Sequence, residues 1–182
     1  MYLSNIISLL WKVSYMLNTD RCVMNKINKN DYKDIKKLYF DERVREFLGG
    51  TVTEERYNNI FEEMLNANEE SIYLTVRNNT TDELVGLVSL DKHHDGVSTE
   101  ISYQFVSEFW GQGYGNEVIK KLMDYAFKEL NLNKLVAETQ KVNKASCRLL
   151  TKLGMSIEES IYRFGAEQNI FRILRDEYYK NN

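Results

Sequence analysis

Gly111, Gly113 and Gly115 alternate with Gln112 and Tyr114 inside the stretch Phe105-Val106-Ser107-Glu108-Phe109-Trp110-Gly111-Gln112-Gly113-Tyr114-Gly115-Asn116-Glu117. Glycines at this spacing let a backbone approach a ligand closely. The residues after them tell which ligand. Val118, Ile119, Leu122, Met123, Ala126 and Phe127 recur at helical spacing, with Lys120, Lys121, Asp124 and Lys128 on the opposite face. The glycines thus precede a helix N-terminus, where backbone N–H groups lack intrahelical partners and the helix dipole adds partial positive charge. A phosphate or pyrophosphate is the group such a turn accepts. No Lys-Ser or Lys-Thr closes the loop as in a nucleotide triphosphatase, and Gly115 falls one place early for a dinucleotide GxGxxG. A glycine-rich connection without a ligand is the plain alternative.

Other residues could handle protons. Glu100 shares a strand face with Ser102 and Gln104. Asn143 and Ser146 are three apart and share a helix face, with Asn143 also placed to cap that helix. His93 and His94 lie in the polar loop Asp91-Lys92-His93-His94-Asp95-Gly96 without a Cys or carboxylate at ligand spacing, so they are expected to be solvated and no metal is expected. Tyr103 and Tyr114 read as packing groups. Asp41, Glu42, Glu54 and Glu55 read as ordinary helix-end charges.

The elements that must position these groups alternate along the chain. Arg21 to Ile27 reads as a strand, Asp31 to Phe40 as a helix with Asn30 or Asp31 near its cap, and Thr53 to Asn68 as a second helix capped by Thr53. Ser71 to Arg77 and Glu83 to Leu90 form an antiparallel pair, with Gly86 marking a bulge or a close approach. The strand Thr99 to Val106 leads into the glycine turn and its helix. Lys134 to Thr139 is a strand, Gly154 ends the Asn143 helix, and further strands lie near Ile157 to Phe164 and Asn169 to Asp176.

At 182 residues the chain suits one domain with a sizeable core, and 43% hydrophobic with 28% charged residues is a soluble composition. A net charge of −3 without a basic run argues against nucleic acid and anionic membrane as partners. Cys22 and Cys147 have neither disulfide-framework nor metal-ligand spacing, which fits a reducing cytoplasm. Residues 1–17 form an N-terminal extension that could fold as an accessory amphipathic helix, or precede a natural start at Met16, with 18–182 as the domain proper. The extension is too short to span a bilayer and lacks signal-peptide features.

Trp110-Gly111-Gln112-Gly113-Tyr114-Gly115 resembles the acetyl-coenzyme A pyrophosphate loop of the GNAT superfamily of N-acetyltransferases, in the form found in its ribosomal-protein (Rim-type) branch. Val142-Asn143-Lys144-Ala145-Ser146-Cys147-Arg148-Leu149-Leu150-Thr151-Lys152-Leu153-Gly154-Met155 resembles that branch's "N-x-x-S … LG-aromatic" helix, with Met155 where an aromatic is usual. The likeness runs from about Thr19 to Tyr179. The chain departs from the pattern in lacking a Pro before Phe109-Trp110 and in carrying Ile161 where some relatives have a glutamate.

The resemblance implies an α/β fold, α+β by segregation, with a mixed, mostly antiparallel central sheet flanked by helices. It implies transfer of acetyl from acetyl-coenzyme A to a primary amine by direct attack on the thioester. Val106, Trp110, Gly111, Gln112, Gly113, Tyr114, Gly115, Asn116, Asn143 and Ser146 carry over as the coenzyme site. Backbone N–H groups near Phe105 and Val106 would polarise the thioester carbonyl, Ser146 would give a proton to the departing thiolate, and Glu100 would serve as base. The acceptor implied is a protein or peptide N-terminal amine or a small-molecule amine, with a polyamine or aminoglycoside as alternative. A homodimer and a non-catalytic acyl-coenzyme A sensing module stay open.

Overall fold

The computed structural model describes residues 16–68 and 70–180. Eight strands form one sheet in the order β1-β2-β3-β4-β5-β6-β8-β7. They are β1 Met16–Asn18, β2 Cys22–Lys26, β3 Ile72–Asn78, β4 Leu84–Lys92, β5 Thr99–Phe105, β6 Lys134–Gln140, β7 Ser156–Arg163 and β8 Ala166–Leu174. Every neighbouring pair is antiparallel except β5 and β6. The helices are α1 Tyr32–Phe40, α2 Glu42–Arg45, α3 Glu54–Leu65, α4 Tyr114–Lys128, α5 Lys144–Lys152 and α6 Arg175–Lys180. This is the mixed, mostly antiparallel sheet with flanking helices that the sequence implies.

Two apolar clusters hold the layers together. On one face Val118, Ile119, Leu122, Met123, Ala126 and Phe127 of α4, none more than 1% exposed, pack on strand residues such as Met24, Leu74, Val88 and Ile101. On the other, Ile35 and Leu38 of α1 and Tyr57, Phe61 and Met64 of α3 cover Leu84 and Leu87. Burying each large side chain contributes about 1.5–3 kcal/mol before entropy is counted. β4 is buried from Leu84 to Leu90 because both faces are covered.

Caps follow the sequence closely. The Thr53 hydroxyl accepts from the Arg56 N–H at 3.3 Å, the Asn143 carboxamide accepts from the Ser146 N–H at 3.1 Å, and Gly154 ends α5 at φ +87°. Gly86 is a close approach. A β-carbon there would meet the Gln104 carbonyl at 2.5 Å, and the β3–β4 register shifts beside it.

Three differences have local causes. Asp31 stands at the N-cap of α1 as expected but makes no side-chain cap bond there, because a 3-10 turn Lys29–Asp31 precedes the helix and Asn28, heading that turn, forms a reciprocal box with Asp31. The connection after α1 contains α2, capped by Asp41, and β8 ends in α6. Met16 and Leu17, at the end of the segment read as an extension, pair with Asn25 and Met24 as β1. The accessory helix expected before them lies outside the described residues. Among the described residues no helix is long and apolar enough to cross a membrane.

Candidate active site

The glycine turn is held from both ends. Gly111 and Gly113 have φ of +73° and +86°, a left-handed conformation costly for any side chain with a β-carbon, and Gly113 occupies the N-cap position of α4 without a side-chain cap. The first N–H groups of a fifteen-residue helix are therefore presented by backbone alone. The Trp110 indole N–H donates to the Phe105 carbonyl at 2.8 Å, and the Gln112 carboxamide donates to the Glu108 carbonyl at 2.6 Å. Gly115 has a different task. A β-carbon there would sit 3.2 Å from Leu149 and 3.4 Å from Phe105, so its absence lets α4 pack on α5 and β5. Tyr114 is buried, with its hydroxyl accepting from Asn78 at 3.2 Å. Asn116 comes next but one, half-buried, in the first helical turn.

Arg21, to which the sequence assigns no role, clasps this turn. Its guanidinium donates to the Gln112 carbonyl at 3.0 Å and to Glu117 at 2.7 Å, and lies 4.0 Å over the Tyr114 ring. Burial alone would raise the Glu117 carboxyl, but hydrogen bonds from Thr19 and Arg21 outweigh it and hold the group below its usual value.

Immediately before the turn the sheet parts. The β5–β6 ladder comprises Thr99 with Leu135 and Glu100 with Val136, and from there the strands diverge. The Val106 N–H is engaged by the Val85 carbonyl at 2.9 Å, so of the two oxyanion donors expected from sequence this one is committed to β4. Strand alternation turns the Phe105 N–H to the opposite edge, toward the parting.

The two proton-handling groups stand on opposite faces of β5. Tyr103, expected to be packing only, points to the α5 side, where its hydroxyl meets the Ser146 hydroxyl at 2.8 Å. Burial pushes the phenol up to about 12, partly offset by the bond to Ser146, so it stays protonated at neutral pH. Asn143 and Ser146 are both half-buried beside it. Glu100 lies on the other face, half-buried, accepting from the Ser102 hydroxyl at 3.2 Å. Burial raises its carboxyl, repulsion from Glu138 adds to this, and His93 with hydrogen bonds from Ser102 and the Glu138 N–H offset part of it.

A raised carboxyl in the folded chain means that stability falls as pH rises from the unfolded value of about 4.3 through the folded one. Glu100→Gln is thus expected to raise the melting temperature at pH 7, with the gain disappearing below about pH 4. Thermal unfolding at pH 4 and pH 7 checks this, and equal shifts at both would contradict it.

His93, expected in solvent, is 5% exposed. Its ring lies 3.3 Å from the Glu138 carboxylate and 3.4 Å from Arg163, which itself pairs with Glu138. Glu138, on the same strand edge as the parting, also carries no sequence signal. In Lys134-Leu-Val-Ala-Glu-Thr-Gln140 it has the pattern of a solvent-facing residue, and partners 25 and 45 residues away bury it. Of the acids between α1 and α3, Asp41 and Glu54 are engaged locally. Asp41 accepts from the Arg43 N–H at 2.8 Å, and Glu54 pairs with Lys36 and accepts from the Tyr32 hydroxyl at 3.0 Å.

The arrangement is a parting between two strands with a glycine turn at a helix N-terminus near it, a hydroxyl pair on one side and carboxylates on the other. Acyl transfer from a phosphate-bearing carrier suits it. The sequence profile described as "Acetyltransferase (GNAT) domain" matches residues 21–156. The "Uncharacterized N-acetyltransferase YoaA" of Bacillus subtilis is 27% identical over 174 residues, covering 88% of this chain and 97% of the relative. Among solved structures, spermidine N-acetyltransferase from Vibrio cholerae in complex with CoA and spermine has a TM-score of 0.74 at 18% identity, covering 87% of this chain and 98% of that one. Ribosomal-protein-S5-alanine acetyltransferase from Vibrio fischeri has a TM-score of 0.72 at 16% identity, covering 90% and 98%.

Proposed function

Because this chain belongs to the GNAT acetyltransferase family, we propose that it moves acetyl from acetyl-coenzyme A to an α-amine, either the N-terminus of a peptide or protein in the manner of the Rim-type branch or a small molecule with a similarly weak amine base. The observation that carries this reading is the parting of β5 from β6, flanked by Tyr103–Ser146 on one face and Glu100 on the other. The coenzyme's pyrophosphate takes the backbone N–H groups from Gly111 to Asn116, with Trp110, Gln112 and Val106 shaping the turn and Asn143 contributing from α5. The amine attacks the thioester carbon, the carbonyl oxygen gains charge against the Phe105 N–H, and the carbon–sulfur bond breaks. The departing thiolate takes a proton from Ser146, whose hydroxyl Tyr103 orients and which solvent reprotonates after coenzyme A leaves. Glu100, whose carboxylate burial makes a stronger base, takes the proton from the amine, directly or through water. Thioester and acceptor thus meet from opposite faces, which supports direct attack over a sensing role.

Acceptor class follows from how little base the site offers. Releasing a proton at pH 7 costs an alkyl ammonium roughly 3 pH units, against about 1 for a peptide α-amine. Glu138 is engaged by Arg163, Asp41 by Arg43 and Glu54 by Lys36, which makes these three carboxylates less free to hold a polycation. Coenzyme A release at pH 7 with short peptides, spermidine and an aminoglycoside tests this. Peptides should win in kcat/KM, and inert peptides beside rapidly acetylated spermidine would overturn the α-amine assignment.

Ser146→Ala should lower kcat by about tenfold to a hundredfold while leaving acetyl-coenzyme A affinity unchanged, because the thiolate forms only along the reaction. A matching loss of affinity would instead make Ser146 a binding residue.

A further inference from the structure

Among the described residues, one charge beside the parting has no counter-ion. Arg45, at the end of α2, is half-buried, with its guanidinium 5.0 Å from the Tyr39 ring centroid. It donates to the Gln104 carboxamide at 3.3 Å, to the Gly50 carbonyl at 2.9 Å and to the Leu48 carbonyl. Gln104 precedes Phe105, so this guanidinium sits one strand residue from the proposed oxyanion donor, on the Glu100 face. Arg77, Arg163 and Arg21 each meet a carboxylate, whereas among the described residues Arg45 has no carboxylate within ion-pair distance. Amide carbonyls orient a guanidinium without neutralising it. Burial, with Arg56 nearby adding like charge, pulls Arg45 below its ordinary value, yet a guanidinium remains charged.

A partly desolvated, unpaired cation is costly unless a ligand supplies the missing anion. A guanidinium has five N–H groups. Three are engaged here, which leaves one on each terminal nitrogen, the number a bidentate carboxylate uses. Glu138 is paired with Arg163, and the Glu100 carboxylate accepts from the Ser102 hydroxyl rather than from Arg45.

We propose that Arg45 selects the acceptor, and that the acceptor carries a carboxylate close to its reactive amine, as a free amino acid or a peptide with an acidic residue near its N-terminus does. This rests on the amine-transfer reading above. Arg45 holds the carboxylate while the amine lies at the β5–β6 parting.

The test compares matched pairs differing only in charge: an amino acid with its carboxamide, and a peptide with Glu at its second position with the Gln analogue. Wild-type protein should favour the carboxylate member of at least one pair by about tenfold or more in kcat/KM. Discrimination in the amino-acid pair identifies an α-carboxylate, and discrimination in the peptide pair alone identifies an acidic side chain. Arg45→Gln should bring the ratio to about one, and Arg45→Lys should keep part of it, since an ammonium supplies charge without the planar fork. Acetyl-coenzyme A affinity by calorimetry should stay at the wild-type value in both variants. A wild-type ratio near one, or one that Arg45→Gln leaves intact, overturns the proposal while amine transfer stands. No turnover of any amine, with acetyl-coenzyme A bound, removes the transfer reading and this proposal together.

Discussion

Gly113→Glu is expected to weaken acetyl-coenzyme A binding by at least about a hundredfold, to the edge of detection. Two effects add. Gly113 has φ +86°, and placing a side chain there costs about 1–2 kcal/mol of backbone strain, which distorts the N-cap that presents the helix amides. The new β-carbon would also sit 3.4 Å from the Arg21 guanidinium, so the carboxylate would draw Arg21 off the Gln112 carbonyl, and at about 4 Å from a phosphate on the turn it would repel it by on the order of 4 kcal/mol at an effective dielectric constant near 20. Each effect alone accounts for tenfold or more. Gly165→Glu is the control. It imposes similar strain at φ +79° in the β7–β8 turn, with open space around its β-carbon, so it should lower the melting temperature without changing affinity. Titration calorimetry on the folded variants decides the matter, and wild-type affinity in Gly113→Glu would sink the assignment of the turn.

The largest effect on stability is expected at Arg163. Its guanidinium donates to Glu138, whose side chain is 8% exposed, and reaches His93 at 3.4 Å. Arg163→Ala would leave a buried carboxylate beside an imidazole alone. Breaking such a pair costs about 3–5 kcal/mol when both partners are buried, and the 25% exposure of Arg163 moves the expectation to about 2–4. Adding Glu138→Gln should recover most of the loss, because the penalty belongs to the stranded charge rather than to the missing contact. Urea unfolding of both single variants and the double variant measures the coupling. A cost below about 1 kcal/mol for Arg163→Ala would mean that the pair behaves as a surface salt bridge.

How much the sequence reveals depends on how far each signal travels along the chain. The α4 stripe, the Thr53 and Asn143 caps, the Gly154 terminator and the β3–β4 hairpin depend on neighbours within a few residues, and they stand where the sequence puts them. The short elements leave no such trace. β1 has three residues, α2 four and α6 six, too few to display a period. The glycine turn and Ser146 are legible as motifs. Their supports are not, because Arg21 meets Glu117 across 96 positions, Tyr103 meets Ser146 across 43, and His93 meets Arg163 across 70. Strand alternation could pair Glu100 with Glu138 once β5 and β6 are known to be neighbours, but no local pattern announces that adjacency.

The two-rung β5–β6 ladder makes the sheet a pair of plates, β1 to β5 and β6 to β8, joined along a short seam. Each plate is stitched internally by long antiparallel ladders, whereas across the seam cohesion rests on those two rungs and on the helices laid over it. A co-substrate lodged there would act as a rivet. It would lend the joint strength that the chain alone does not provide, by about 2.7 kcal/mol at a hundredfold excess over its dissociation constant. Amide protons at the inner edges of the two plates would then exchange at rates set by coenzyme supply, making the rigidity of this protein a reading of the acetyl-coenzyme A level around it.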